Sequence, residues 1–399
     1  MTGTVPAEFA AHGLAKAMAG DERLAAIAWS VIAEGADEAA AWLVAEMGPS
    51  AALAWLSDAA TDPVAATMRL APLAQPPTID KAVAATERWL ARTGDADPQR
   101  NLGRAHAVGA RVITRVDPEW PSILDDLGGR APYALWARGG GDLSALLGRS
   151  VAVVGSRAST GYGEHVAAEI AGGVSDAGWC VVSGGAYGID AAAHRAALTG
   201  PTPTVAVMAG GVDRLYPAGN ADLLGAILDR GVVFSEVPCG FAPHRSRFLA
   251  RNRVIAAAAA TCVVEAAARS GALNTVSHAL EWGRPVGAVP GPVTSVSSQG
   301  CHRLIRDGLA VLVTDARQVL ELAGPIAPDP ASGDAGGFGS AAERAAFDAV
   351  STRGSRTEQV AKGAGLAIGE ALAALAGLEL AGLVASAGGV WHRREIGRN

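Results

Sequence analysis

Val151-Ala-Val-Val-Gly155-Ser156-Arg157 is the stretch on which the reading of the fold turns. A short apolar run, the length of a strand buried on both faces, leads straight into a glycine, a hydroxyl and a guanidinium. The same plan returns in Cys180-Val-Val-Ser183-Gly184-Gly185, in Phe248-Leu-Ala-Arg251-Asn252-Arg253 and in Val263-Val-Glu265. Buried strands that empty into turns of backbone donors and helix starts make anion pockets. None of these turns carries a set of groups for making or breaking bonds. The pattern points to a protein that holds a phosphate backbone rather than one that cuts it.

Working outward, strand candidates fall at 151–154, 180–183, 204–208, 232–235, 261–264, 286–289 and 310–313. Helical stretches lie between them, near 163–177, 188–198, 219–229, 247–258, 271–282 and 300–307. Continuous Val-rich strands alternating with helices predict an α/β fold with a mostly parallel sheet covered on both faces. In such sheets the ligand lies at the carboxyl ends of the strands, where these glycines and arginines fall. Before this core, residues 1–100 read as a helical N-terminal domain, and 111–139 are irregular. After the core at 105–322, a Pro-, Gly- and Ala-rich linker is expected over 324–340. Residues 341–394 then read as a separate domain of three helices and a hairpin around Gly388-Gly389, the plan of a winged helix.

Size and composition set bounds. A chain of 399 residues suffices for two or three domains. No stretch approaches the roughly 18 uninterrupted apolar residues of a membrane span, and the N-terminus predicts no signal peptide. A cytoplasmic location is expected. Cys180, Cys239, Cys262 and Cys301 are far apart in sequence, which predicts reduced thiols rather than a metal or disulfide framework. Residues 1–100 hold seven Lys and Arg against thirteen Asp and Glu, a net −6 that equals the formal charge of the whole chain. The glycine-rich block is near neutral, so the overall acidity does not exclude a nucleic-acid partner.

The motifs define candidate sites. Gly155, Ser156 and Arg157 follow a buried strand and offer N–H donors beside a charged fork. The glycine spacing departs from G-x-G-x-x-G, which argues against dinucleotide binding. Ser183, Gly184, Gly185, Tyr187 and Gly188 form a second turn, where paired glycines permit close backbone approach and Tyr187 offers a face for stacking on a base. Asp190 and His194 follow, four apart; with no third ligand they read as a capping carboxylate and a packed histidine. From Phe241 to Arg253 no acid interrupts Arg247, Arg251, Asn252 and Arg253, with Arg247 and Arg251 on one helical face. Ser270 and Gly271 open a further helix. Glu236 and Glu265 end strands; they suit either acid–base chemistry or ion pairs that hold the arginines, and the second reading is preferred. No catalytic residue, metal site or cofactor is expected.

Taken in order, Val151–Gly163, Ser183–His194, Tyr216-Pro217, Ser235-Glu236-Val-Pro238, Phe248–Ile255, Val263–Thr275 and Pro290-Gly291 closely resemble the DNA-processing protein A family (DprA, also called Smf). The resemblance covers roughly residues 105–320. It implies a cytoplasmic, extended Rossmann-like protein that binds single-stranded DNA, forms a homodimer and loads the RecA recombinase during natural transformation. It also implies that Arg157 grips phosphate, with Arg247, Arg251, Asn252 and Arg253 completing a basic pocket. Tyr187 stands where other members carry a basic residue.

Two rivals remain. The first is a nucleotide-cleaving phosphoribohydrolase-like enzyme, whose Pro-Gly-Gly-x-Gly-Thr-x-x-Glu motif is missing: Ala268-Arg269-Ser270-Gly271-Ala-Leu-Asn274-Thr275 lacks its glutamate. The second is a double-strand regulator acting through the winged helix, whose few basic residues are balanced by acids.

Overall fold

The computed structural model describes residues 7–74, 77–324, 341–351 and 354–393. The chain divides into two compact units, Met1–Gly324 and Pro325–Asn399. The expected linker, apart from Gly324, lies outside the described residues, as does position 394.

Nine strands build the sheet of the first unit: β1 (Arg111–Thr114), β2 (Ala134–Gly139), β3 (Ser150–Val154), β4 (Cys180–Ser183), β5 (Val205–Met208), β6 (Val232–Ser235), β7 (Ala260–Val263), β8 (Val286–Ala288) and β9 (Val311–Leu312). Their order is β1-β2-β6-β5-β4-β3-β7-β8-β9. From β6 across to β9 every pairing is parallel. β2 meets β6, and β1 meets β2, antiparallel.

The alternation of a strand explains the two layers. Val151 and Val153 of β3 face a cluster with Ile170, Ala171 and Val174 of the helix Gly161–Asp176. Ala152 and Val154 face the other way, into the core with Val254, Ile255 and Val276. Each such valine, buried on folding, contributes about 1.5–3 kcal/mol. The strands predicted over 151–313 all occur within a residue or two. Elements at both ends of the core differ from expectation. The segment 111–139, read as irregular, supplies β1 and β2, short strands separated by a stretch rich in Pro, Asp and Gly. The helix Ala316–Ala323 closes the core where none was expected.

Helices of the first hundred residues share that unit. Aspartates cap them: Asp21, Asp37, Asp62 and Asp97 each accept backbone N–H groups at a helix start. Much of the local acidity is therefore helix chemistry. Trp29 and Trp89 meet edge to face with centroids 5.5 Å apart, and Trp55 packs on Trp89.

The second unit holds the helices Ala341–Ala349, Thr357–Ala364 and Ile368–Leu380. A hairpin pairs Val384–Ala387 with Val390–Arg393. Val350, Leu375, Leu378 and Trp391 share its small core. No single helix among the described residues is long and apolar enough to cross a membrane.

Candidate nucleic-acid interface

The chain winds from β3 outward to β6 and then returns to the other side of β3 as β7. Loops leaving the carboxyl ends of β3 and β7 therefore part in opposite directions. A crevice must open between them. A cleft of about 410 Å³ lies there, lined by the 155–158 turn, Ala186, Asp190, Arg251, Asn252, Ile255 and the 267–275 segment.

Each wall has a local cause. The Ser156 N–H donates to the Glu265 carbonyl at 2.8 Å, and the Ile189 N–H donates to the Ser156 carbonyl at 3.2 Å. Gly188 makes the second contact possible: its φ is +75°, and a Cβ there would sit 2.3 Å from the Ser156 oxygen. Glu265, buried, accepts the Thr160 N–H at 2.9 Å and the Thr160 hydroxyl at 2.6 Å. The turn is thus pinned at both ends, while the N–H groups of Arg157, Ala158 and Ser159 have no partner among the described residues.

Arg251 forms the floor. Its guanidinium donates to the Gly184 carbonyl at 2.9 Å, to the Val207 carbonyl, and to the Asn252 side-chain oxygen at 3.3 Å. Burial pulls its pKa down to about 10, Asp190 opposes that, and the charge of Arg157 adds to it. It stays cationic at neutral pH. Arg157 is exposed, lies over the Phe248 ring at 5.1 Å, and has no carboxylate partner among the described residues. Phe248 also stands 5.9 Å from Arg251 and 5.9 Å from the Tyr216 ring. Two positive charges converge on one cleft around an aromatic wedge. Asn252 donates to Asn274 across the far wall at 3.1 Å.

The carboxylates of the cleft are committed. Asp190 accepts N–H groups from Gly184 at 3.1 Å and Ala186 at 3.4 Å. Burial raises its pKa, with Arg251 and those donors working the other way. His194 lies behind it, fully buried, its Nδ1 2.9 Å from the Thr204 hydroxyl. Thr204 donates to the Val181 carbonyl, so Nδ1 carries the proton and Nε2 is bare. Burial, then Arg251, pushes this imidazole down to about 3.

Several candidates stand elsewhere than expected. Arg247 is engaged by Glu34, which accepts from its Nε at 2.9 Å and Nη2 at 2.7 Å. Arg253 is 2% exposed and doubly paired with Glu236 at 2.8 and 2.5 Å. Neither lines the cleft; the acids facing them stand 213 and 17 positions away along the chain. The Ser183 hydroxyl donates to the Val153 carbonyl at 2.6 Å, Gly185 is buried, and the Gly184 N–H serves Asp190. This second turn therefore builds the wall without presenting those donors to a ligand. Tyr187 is exposed, its hydroxyl accepting the Gly219 N–H at 3.3 Å, and it too lies off the cleft lining. Gly155, Ser156, Arg157, Arg251, Asn252, Ser270 and Gly271 line it. Phe248, missing from the expected set, is the aromatic next to Arg247 in the arginine-rich helix; that adjacency was its one signal. Among the described residues no group of three or more His, Cys, Asp or Glu is placed to hold a metal ion.

Fold and cleft together define a Rossmann-like α/β protein with a basic crevice at its strand ends. Residues 111–324 match the family described as DNA recombination-mediator protein A, and the chain belongs to that family. A Mycobacterium tuberculosis chain named as a DNA processing protein DprA is 49% identical over 300 residues, 71% of this chain and 77% of the relative. Streptococcus pneumoniae DNA processing protein DprA is 42% identical over 191 residues, 48% of this chain and 66% of its own. The X-ray structure of the pneumococcal protein superposes with a TM-score of 0.54 at 32% identity, covering 68% of this chain and 96% of that one. A Helicobacter pylori DNA processing protein A, described for its single-stranded DNA binding mode, gives a TM-score of 0.48 at 26% identity, covering 54% and 96%.

Proposed function

We propose that this protein grips single-stranded DNA by its phosphates at the β3–β7 crevice and leaves the strand intact. One observation carries the reading: Arg157 and Arg251 converge on a cleft whose turn-holding carboxylates, Asp190 and Glu265, already accept hydrogen bonds from those turns. Surplus positive charge and free peptide N–H groups suit a phosphodiester. Asp190 and Glu265 are occupied in holding turns, Asp190 accepting the Gly184 and Ala186 N–H groups and Glu265 gripping Thr160. Contacts to the backbone carry little sequence information, so binding tolerates any sequence.

In this reading the protein works in the cytoplasm as a homodimer, spanning two segments of strand and gaining effective concentration. It hands the strand to the RecA recombinase during recombination or natural transformation. The three helices and hairpin of the second unit form an accessory winged helix. Family membership and the ordered motifs support this wider role.

Fluorescence anisotropy with short homopolymer strands across a salt series tests the grip. Arg157→Ala and Arg251→Ala are expected to weaken binding on every sequence, with the log–log salt slope flattened by about 0.7 for each phosphate left without its cation. Unchanged affinity in both variants overturns the assignment. Adding RecA afterwards tests the wider role: filament growth no faster with the protein than without it removes the loading step.

A further inference from the structure

Glu34 lies in the 33–37 turn just past the helix Glu22–Ile32 and is the hub of a basic cluster outside the cleft. One of its oxygens is shared by Arg247 at 2.7 Å and Arg92 at 2.9 Å; the other takes the Arg247 Nε at 2.9 Å. His244 stands 4.0 Å away. Arg247 and Arg92 both lie over the Phe241 ring, at 5.0 and 5.7 Å. Among the described residues neither arginine has a second carboxylate. Two guanidinium groups thus face one carboxylate, leaving a surplus positive charge even with His244 neutral.

Resting on the single-strand reading, we propose that Arg92, Arg247 and His244 form a second phosphate subsite for the same strand, its place held in the free protein by Glu34. A carboxylate clasped by two planar forks has the coordination that a phosphodiester takes. Arg247 precedes Arg251 by one turn of the helix Arg245–Ile255, about 6 Å along its axis, a span that suits successive phosphates of an extended strand. Arg245, exposed and without a carboxylate partner among the described residues, opens the same helix. Glu34 is 38% exposed and covers Arg247, which is 10% exposed, so departure of the carboxylate uncovers the guanidinium it holds. Its turn includes Ala36 at φ +70°, outside any helix that would fix the side chain to a packed face. Burial pushes the Glu34 carboxyl up, but Arg247, Arg92 and His244 together hold it below its usual value, so it competes as an anion. The N-terminal helices thereby supply one wall of the strand's path and a carboxylate that restrains it.

Anisotropy titrations of the full chain with oligo-dT across salt test this, with thermal melts confirming folding. Glu34→Gln is expected to tighten binding about two- to fivefold, the scale of one half-exposed charge interaction. Arg92→Ala is expected to weaken binding and flatten the salt slope by about 0.7. If Arg92→Ala fails to fold, Arg92→Lys, which keeps the charge and loses the fork, is expected to bind more weakly. Glu34→Gln no tighter than the parent, an unchanged slope in Arg92→Ala, or unchanged affinity in Arg92→Lys overturns the second subsite. Arg157→Ala run alongside separates the two readings. Binding that needs Arg157 but ignores Glu34 and Arg92 leaves the cleft standing alone, and a parent chain that binds no strand removes both.

Discussion

Glu265 holds Thr160 twice, accepting its backbone N–H at 2.9 Å and its hydroxyl at 2.6 Å across 105 positions of chain. The Glu265 carbonyl meanwhile takes the Ser156 N–H. One residue at the end of β7 thus ties down the turn that follows β3, joining the two sides of the crevice. Glu265→Gln keeps the shape but turns an amide NH2 toward one of the two donors. Stability is expected to fall by about 1–3 kcal/mol, with weaker strand binding as the turn loosens. Urea denaturation and anisotropy measure both; unchanged values would show that the turn is held by other interactions.

Arg253 and Glu236 make the opposite case, a charge pair with no ligand to meet. The arginine also donates to the carbonyls of Arg130 and Ala250, each at 2.8 Å. Arg253→Ala strands a buried carboxylate and is expected to cost about 3–5 kcal/mol. The protein that remains folded is expected to bind strand with the parent's salt slope. A flattened slope at unchanged stability would return Arg253 to the phosphate path.

His194 gives the core a dependence on acid. Its pKa falls from 6.5 to about 3 on folding, so between those values the unfolded chain binds the extra proton. The stabilisation is complete above pH 6.5 and is lost as pH drops toward 3, at about 1.4 kcal/mol per pH unit. Denaturant midpoints for the parent and His194→Gln are expected to converge over that window. Parallel curves would mean that the imidazole is protonated in the fold.

Gly188→Ala tests the close approach of the two turns. The added methyl meets the Ser156 carbonyl at 2.3 Å with φ at +75°, a conformation that costs an L-residue about 1–2 kcal/mol before any clash. Destabilisation of about 2 kcal/mol or more is expected in thermal or urea unfolding, together with weakened strand binding. A neutral substitution would mean that the turns move apart freely.

These residues show how far local reading reaches. The strands from β3 to β8 were legible because a strand covered on both faces must be apolar throughout; β9, an exposed edge pair, was legible by its apolar run alone. The position of Arg157 at the cleft was legible as well, because a guanidinium straight after a buried strand and a glycine falls at the carboxyl end of the sheet. β1 and β2 were not, since the Pro-, Asp- and Gly-rich stretch between them hides two short strands that are buried on both faces. The arginine run 245–253 looked uniform in sequence. Its members part company in space, with Arg251 flooring the cleft while Arg247 and Arg253 serve acids.

The amino-acid order by itself determined the layered α/β core, the crevice at its strand ends and the capped helices before it, because backbone periodicity and turn chemistry act between near neighbours. Only the tertiary structure decided which charges are free to meet a ligand. Glu34 reaches Arg247 across 213 positions, and Arg253 is silenced by Glu236 in the core. A charge acts through whatever faces it, and that partner is chosen by the packing of distant segments.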